Sequence, residues 1–216
     1  MTRNDFGFTM VRMKAKTISL PSQEGEPVWE LAEMFPYQGS WSVEDYLHLE
    51  TNKLIEFTEG SVELLPMPSQ SHQFIVIYLF QLLKAFVNAG NLGTVLIAPM
   101  RVRLNTNRFR EPDVMFIFQE NDGRRNEQYW DGADLVMEVV SPDDPQRDTV
   151  QKRAEYAAAG IPEYWIVNPL DQTITVLTLE GAEYTAVQVC GRGEMAKSIL
   201  LTGFEADVSA VFDSPK

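Results

Sequence analysis

Glu138 stands alone among apolar residues in the run Leu135–Val140, LVMEVV. A carboxylate in such a strand is costly unless a cation, a hydrogen-bond donor or a metal ion meets it. Upstream, the tripeptide EPD at Glu111–Asp113 offers a second acid, Asp113, behind a proline that suits the first position of a strand. Downstream, Asp148, Lys152 and Tyr156 recur at four-residue spacing and share one face of a helix. Two carboxylates and a lysine are the parts of a metal-dependent phosphodiesterase. Mg²⁺ takes oxygen ligands and often only one or two protein carboxylates. It polarises a phosphoryl oxygen and lowers the pKa of bound water, and a nearby ammonium stabilises developing charge or positions the water. Each part also has an ordinary account when read singly. Glu138 fits an ion pair or an exposed strand end, Asp113 a turn, and Asp148–Lys152 a surface pair. Zinc-ligand spacing is absent, since His48 and His72 are the only histidines.

The elements that must bring these groups together can be read from pattern and punctuation. Alternation places Val136, Glu138 and Val140 on one face of their strand and Leu135, Met137 and Val139 on the other. Asp113 projects on the face shared with Met115 and Ile117. A long helix is expected over Ser69–Ala89, then strands over Thr94–Leu104, Asp113–Phe118 and Leu135–Val140. A second helix is capped by Asp144, has Pro145 in its first turn, and ends at Gly160 before Pro162. A strand at Tyr164–Val167 follows, and then a hairpin of Thr173–Leu179 with Tyr184–Val189. Ahead of these lie a short helix starting at Ser42 and a hairpin over Lys53–Pro68 that turns at Thr58–Ser61. The core order is αβββαβ, an α/β fold with a mixed central sheet flanked by helices. Residues 1–40 read as an N-terminal arm interrupted by prolines, and 41–212 as a single domain with extra β-hairpins.

Bulk properties narrow the setting. A chain of 216 residues suits one domain. No apolar run approaches the roughly 18 residues of a membrane span, and the N-terminus has no secretory pattern. The single cysteine, Cys190, excludes an internal disulfide and fits a cytoplasmic protein. The net charge of −13 argues against tight, non-specific DNA binding, which lysine and arginine contacts to phosphate dominate.

The blocks LIEFTEGSVELLPMPSQSHQ, EPDVMF, ADLVMEVVSPDD and DTVQKRAEYAAAGIPEYWIVNP resemble the Uma-two family of restriction endonucleases, also described as a domain of unknown function. That family lies within the PD-(D/E)XK nuclease superfamily, and the resemblance spans about Trp41 to Leu179. It implies a restriction endonuclease-like core and cleavage of DNA with Mg²⁺ or Mn²⁺. Asp113 and Glu138 would be the metal ligands, with Glu56 as a third carboxylate and Glu63 as its weaker alternative. The lysine of the second half-motif would stand at Val140; Lys152, on the following helix, reads as its migrated replacement, supported by Tyr156. His72 would contact phosphate or assist proton transfer, or else be a surface residue at a helix start. Arg101 and Arg103, on one strand face, and Arg108 and Arg110, in the loop leading to Asp113, could track phosphates toward the site, or be solvated charges on an edge strand. Cutting both strands of a duplex would require two sites, hence a homodimer. A module that keeps the nuclease fold without cutting, and a hydrolase of another phosphoester, are the other readings.

Overall fold

The computed structural model describes residues 36–49, 51 and 53–214. The expected arm therefore lies outside the described residues except for 36–40. A six-stranded mixed sheet carries the fold. Its strands are β3 (Gly93–Ile97), β6 (Val114–Phe118), β8 (Leu135–Val139), β9 (Glu163–Asn168), β10 (Thr173–Glu180) and β11 (Glu183–Cys190). Their spatial order is β11-β10-β9-β8-β6-β3, antiparallel throughout except for the parallel β8–β9 pair. The long helix α2 (Gln70–Gly90) lies before β3, and α3 (Lys152–Ala158) makes the crossover from β8 to β9. These six central elements give the αβββαβ order read from the sequence.

The two faces of β8 follow the expected alternation. Leu135, Met137 and Val139 join an apolar cluster with Ile75, Leu79 and Leu83 of α2. Val136 and Val140 join a second cluster with Met115, Ile117, Tyr156, Ala157 and Tyr164. Glu138 belongs by register to this second face, under α3. By length and composition α2 could cross a bilayer, an exception to the expectation that no segment could. Here it lays its Ile75–Val87 face on the sheet.

A second, five-stranded sheet covers the α3 side. It contains β1 (Ile55–Thr58), β2 (Ser61–Leu64), β4 (Arg101–Asn105), β5 (Arg108–Arg110) and β7 (Tyr129–Asp131). Its core packs Tyr46, from α1 (Val43–Leu47), against Phe57 and Phe109. The β1–β2 turn uses positive φ at Glu59 (46°) and Gly60 (79°), the arrangement a two-residue hairpin favours. A side chain at Gly60 would also meet the Gly39 carbonyl oxygen at 2.7 Å. The C-terminal strands β12 (Met195–Lys197) and β13 (Glu205–Asp207) and helix α4 (Val208–Asp213) close the α2 side.

Two expectations need correction. Thr94–Leu104 is not one strand: it breaks after Ile97, and β3 and β4 enter different sheets. Pro99 removes a ladder donor at the break, which alternation on either side does not reveal. Arg108 and Arg110 lie on a strand, not in a loop. The second helix ends as expected, with Gly160 at φ 76°. Its first part, however, contains a widened π turn over Arg147–Gln151, where the Lys152 N–H donates to the Arg147 carbonyl five residues back.

Candidate active site

Strand register brings the two acids together. Val114 pairs with Met137 across β6 and β8, so Asp113 arrives beside Glu138. Each acid meets the other's strand. The Val139 N–H donates to Asp113 Oδ2 at 2.8 Å, and the Asp113 N–H reaches Glu138 Oε2 at 3.4 Å. Asp113 Oδ1 has no partner among the described residues. Glu138 is buried, and its Oε1 is ion-paired with Lys152 Nζ at 2.9 Å and accepts from the Tyr156 hydroxyl. Oε2 keeps only the long contact to the Asp113 peptide. Each acid thus retains an oxygen with spare acceptor capacity.

Helix α3 supplies the cation because Tyr156 and Ala157 anchor it on the apolar face of the sheet. The Lys152 ammonium is buried within 3.1 Å of Asp148 Oδ1 and 3.9 Å of Glu56 Oε1, besides its contact with Glu138. Burial pulls the Lys152 pKa down, but Glu138, Glu56, Asp148 and Asp113 outweigh it and hold the amine above its ordinary range. Burial also pushes the Glu138 carboxyl up to about 8; Lys152 pulls it down, while Asp113 and Asp148 push it up. Val140, where the half-motif would carry lysine, is fully buried in the α3-side cluster.

His72 enters the site from the first turn of α2, which Ser69 caps by accepting the His72 N–H. Its Nε2 lies 3.1 Å from the Val139 carbonyl and 3.2 Å from Asp113 Oδ2, while Nδ1 is buried without a partner. Burial lowers the imidazole pKa, but Asp113 more than offsets it, so the net shift is upward.

Glu56, expected as a third carboxylate at the ion, has both oxygens engaged elsewhere. Oε1 accepts the Glu111 N–H at 3.2 Å, and Oε2 meets Arg110 Nη1 at 3.1 Å and Arg147. Burial raises its pKa, but Lys152, Arg110 and Arg147 prevail and leave it lowered. Glu63, the alternative, is ion-paired with Arg147. The sequence reading missed Arg147, whose partners lie on β1 and β2, far away in the chain. It also missed Glu111, whose Oε2 is buried without a partner and whose carboxyl burial pushes up to about 7.

Among the described residues no three His, Cys, Asp or Glu side chains gather closely enough to hold a metal by themselves. The spare oxygens of Asp113 and Glu138 instead fit a hard cation that completes its shell with water and phosphate oxygens. The basic run is neutralised: Arg101 pairs with Glu111, Arg103 with Asp131, Arg108 and Arg110 with Glu155. Arg110 is 1% exposed, which removes it from any phosphate track.

The model of the Uma2 family, described as "putative restriction endonuclease", matches residues 43–209. Five chains of solved structures also match. One, described as a "putative nuclease belonging to DUF820" from Anabaena variabilis, is 17% identical with a TM-score of 0.67, over 81% of this chain and 99% of that one. At that identity the likeness establishes a shared fold. No curated protein matches.

Proposed function

The chain belongs to the Uma2 family, and from that premise we propose that it is a Mg²⁺- or Mn²⁺-dependent endonuclease hydrolysing phosphodiester bonds in DNA. One observation carries this reading. Asp113 and Glu138 stand side by side, each with an oxygen to spare, and a buried ammonium sits on the opposite oxygen of Glu138. Asp113 and Glu138 would hold the ion, which when bound polarises the phosphoryl group and acidifies water. Lys152 Nζ is ion-paired with Glu138 and Asp148. Its remaining carboxylate neighbour, Glu56 Oε1, is at 3.9 Å, so the ammonium has donor capacity for a phosphate oxygen or the attacking water. Tyr156 fixes Glu138 by donating to Oε1. His72 orients Asp113 through Oδ2, a place from which it assists proton transfer at the site. Glu56 serves the cations of α3 and its π turn rather than the metal ion. Cleavage of both strands would be the work of a homodimer.

The test is cleavage of plasmid and oligonucleotide DNA with Mg²⁺ or Mn²⁺ beside Asp113→Ala and Lys152→Ala. Metal-dependent cleavage by the natural sequence, lost in both variants, is the expected result. Absence of both cleavage and metal binding refutes it. A second reading, a nuclease-fold binding or regulatory module that does not cut, draws support from Val140 in the half-motif lysine position and from the net charge of −13. It predicts a folded protein that yields no cleavage products with either metal ion.

A further inference from the structure

We propose that Asp148 is a positioning residue that holds the Lys152 ammonium in its seat on Glu138 Oε1. The inference rests on the phosphodiesterase reading of the same site and assigns a role to a residue outside its ligand set. Three carboxylates compete for the ammonium: Glu138 at 2.9 Å, Asp148 at 3.1 Å and Glu56 at 3.9 Å. Without the pull of Asp148, the ammonium is drawn along the line between Glu138 and Glu56 and away from its present seat.

The backbone around Asp148 is built to hold it there. In the π turn Arg147–Gln151 the Lys152 N–H goes to the Arg147 carbonyl, not to that of Asp148. Wide turns of this kind inside helices are frequent at functional sites. The Asp148 carbonyl accepts the Tyr164 hydroxyl at 2.9 Å instead. The Tyr164 ring in turn meets Tyr156 edge-on, with centroids 5.2 Å apart, and the Tyr156 hydroxyl returns to Glu138 Oε1. The contacts therefore close a circuit: Glu138, Lys152, Asp148, Tyr164, Tyr156, and Glu138 again. Asp148 itself is 4% exposed, too enclosed for a routine surface pair.

The test uses the full chain, with Asp148→Asn and Asp148→Glu compared alone and in a Lys152→Met background. Proton–nitrogen correlation spectra of lysine Nζ groups report the seat directly, since a buried, hydrogen-bonded ammonium exchanges slowly; the signal missing in Lys152→Met assigns it. In Asp148→Asn that signal is expected to shift or broaden. The kcat for plasmid cleavage with Mn²⁺ is expected to fall about 10- to 100-fold, the cost of a small misplacement, with KM and Mn²⁺ affinity unchanged. Asp148→Glu restores part of the loss, and Asp148→Asn adds nothing in the Lys152→Met background. An unchanged lysine signal in Asp148→Asn, or an equal further loss of rate without Lys152, overturns the proposal. If Asp148→Asn does not fold, Tyr164→Phe, which frees only the Asp148 carbonyl, must perturb the same signal. If the natural sequence cuts no DNA, the phosphodiesterase reading fails while the spectra still decide the positioning.

Discussion

Replacing Lys152 with methionine keeps most of the side-chain volume and removes one buried charge. Glu138, Asp148 and Glu56 lose a shared counter-ion at 2.9, 3.1 and 3.9 Å. Removing one partner of a buried pair costs about 3–5 kcal/mol, a large share of the roughly 5–15 kcal/mol that holds a domain together. Glu56 keeps Arg110 and Arg147, so the penalty falls on Glu138 and Asp148. It must also depend on pH. Glu138 already has its pKa raised to about 8 by burial, so the folded state binds its proton more tightly than the unfolded chain does. Stability associated with Glu138 is therefore present below the unfolded value near 4.5 and declines as pH rises toward 8. Loss of Lys152, which pulls that pKa down, steepens the decline. Lys152's own contribution, with its pKa raised in the fold, extends up to its unfolded value near 10.5. Urea denaturation of both proteins between pH 5 and 9 should show the largest gap above pH 7 and a smaller one at pH 5. Cleavage measured at pH 6, where the variant retains more structure, should fall by about 10²- to 10³-fold. A variant as stable as the parent at pH 8 would refute the idea that Lys152 compensates buried carboxylates.

Asp113→Asn and Glu138→Gln should each lower Mn²⁺ affinity at least about tenfold by calorimetry, whereas Glu63→Gln should leave it unchanged. Because Glu138 must lose its proton to bind a cation, Mn²⁺ affinity should rise with pH and level off above about 8; a flat profile between pH 6 and 8 would contradict its place as a ligand. Arg110→Met removes a buried cation shared by Glu56 and Glu155, which keep Arg147 and Arg108 respectively, and should cost about 3 kcal/mol in urea. Arg103→Met, in a half-exposed pair with Asp131, should cost under about 1 kcal/mol. Gly60→Ala should lower the thermal midpoint, because φ is 79° and the added methyl meets the Gly39 carbonyl.

How much of this was legible in the chain follows from the range of each interaction. The faces of β8, the span of α2 and the end of α3 are written in neighbouring residues, and the structure keeps them. The pairing of Asp113 with Glu138 needed only the strand order and a Pro–Asp start. The split of Thr94–Leu104 between two sheets is a tertiary event, since both halves alternate equally well. Glu56 shows the same limit more sharply. An acid before a turn glycine cannot reveal that its oxygens face Arg110 and Arg147, which other elements deliver from 54 and 91 residues away. The π turn left no mark either, because nothing in the run Arg147–Gln151 distinguishes an i→i+5 bond from an ordinary helical one.

The reciprocal bonding of Asp113 and Glu138 through each other's strands has a consequence for how such a centre can change over generations. The acid pair is inherited from sheet register, so it is as stiff as the sheet and shifts only if the strands slip. The ammonium carries no such constraint. Any segment lying over the same face can deliver a cation to Glu138 Oε1, whether from position 140 of the strand or from a helix above it. The acidic half of the centre is thus set by register, while a cation can reach Glu138 from the strand or from the helix above it, where Lys152 stands.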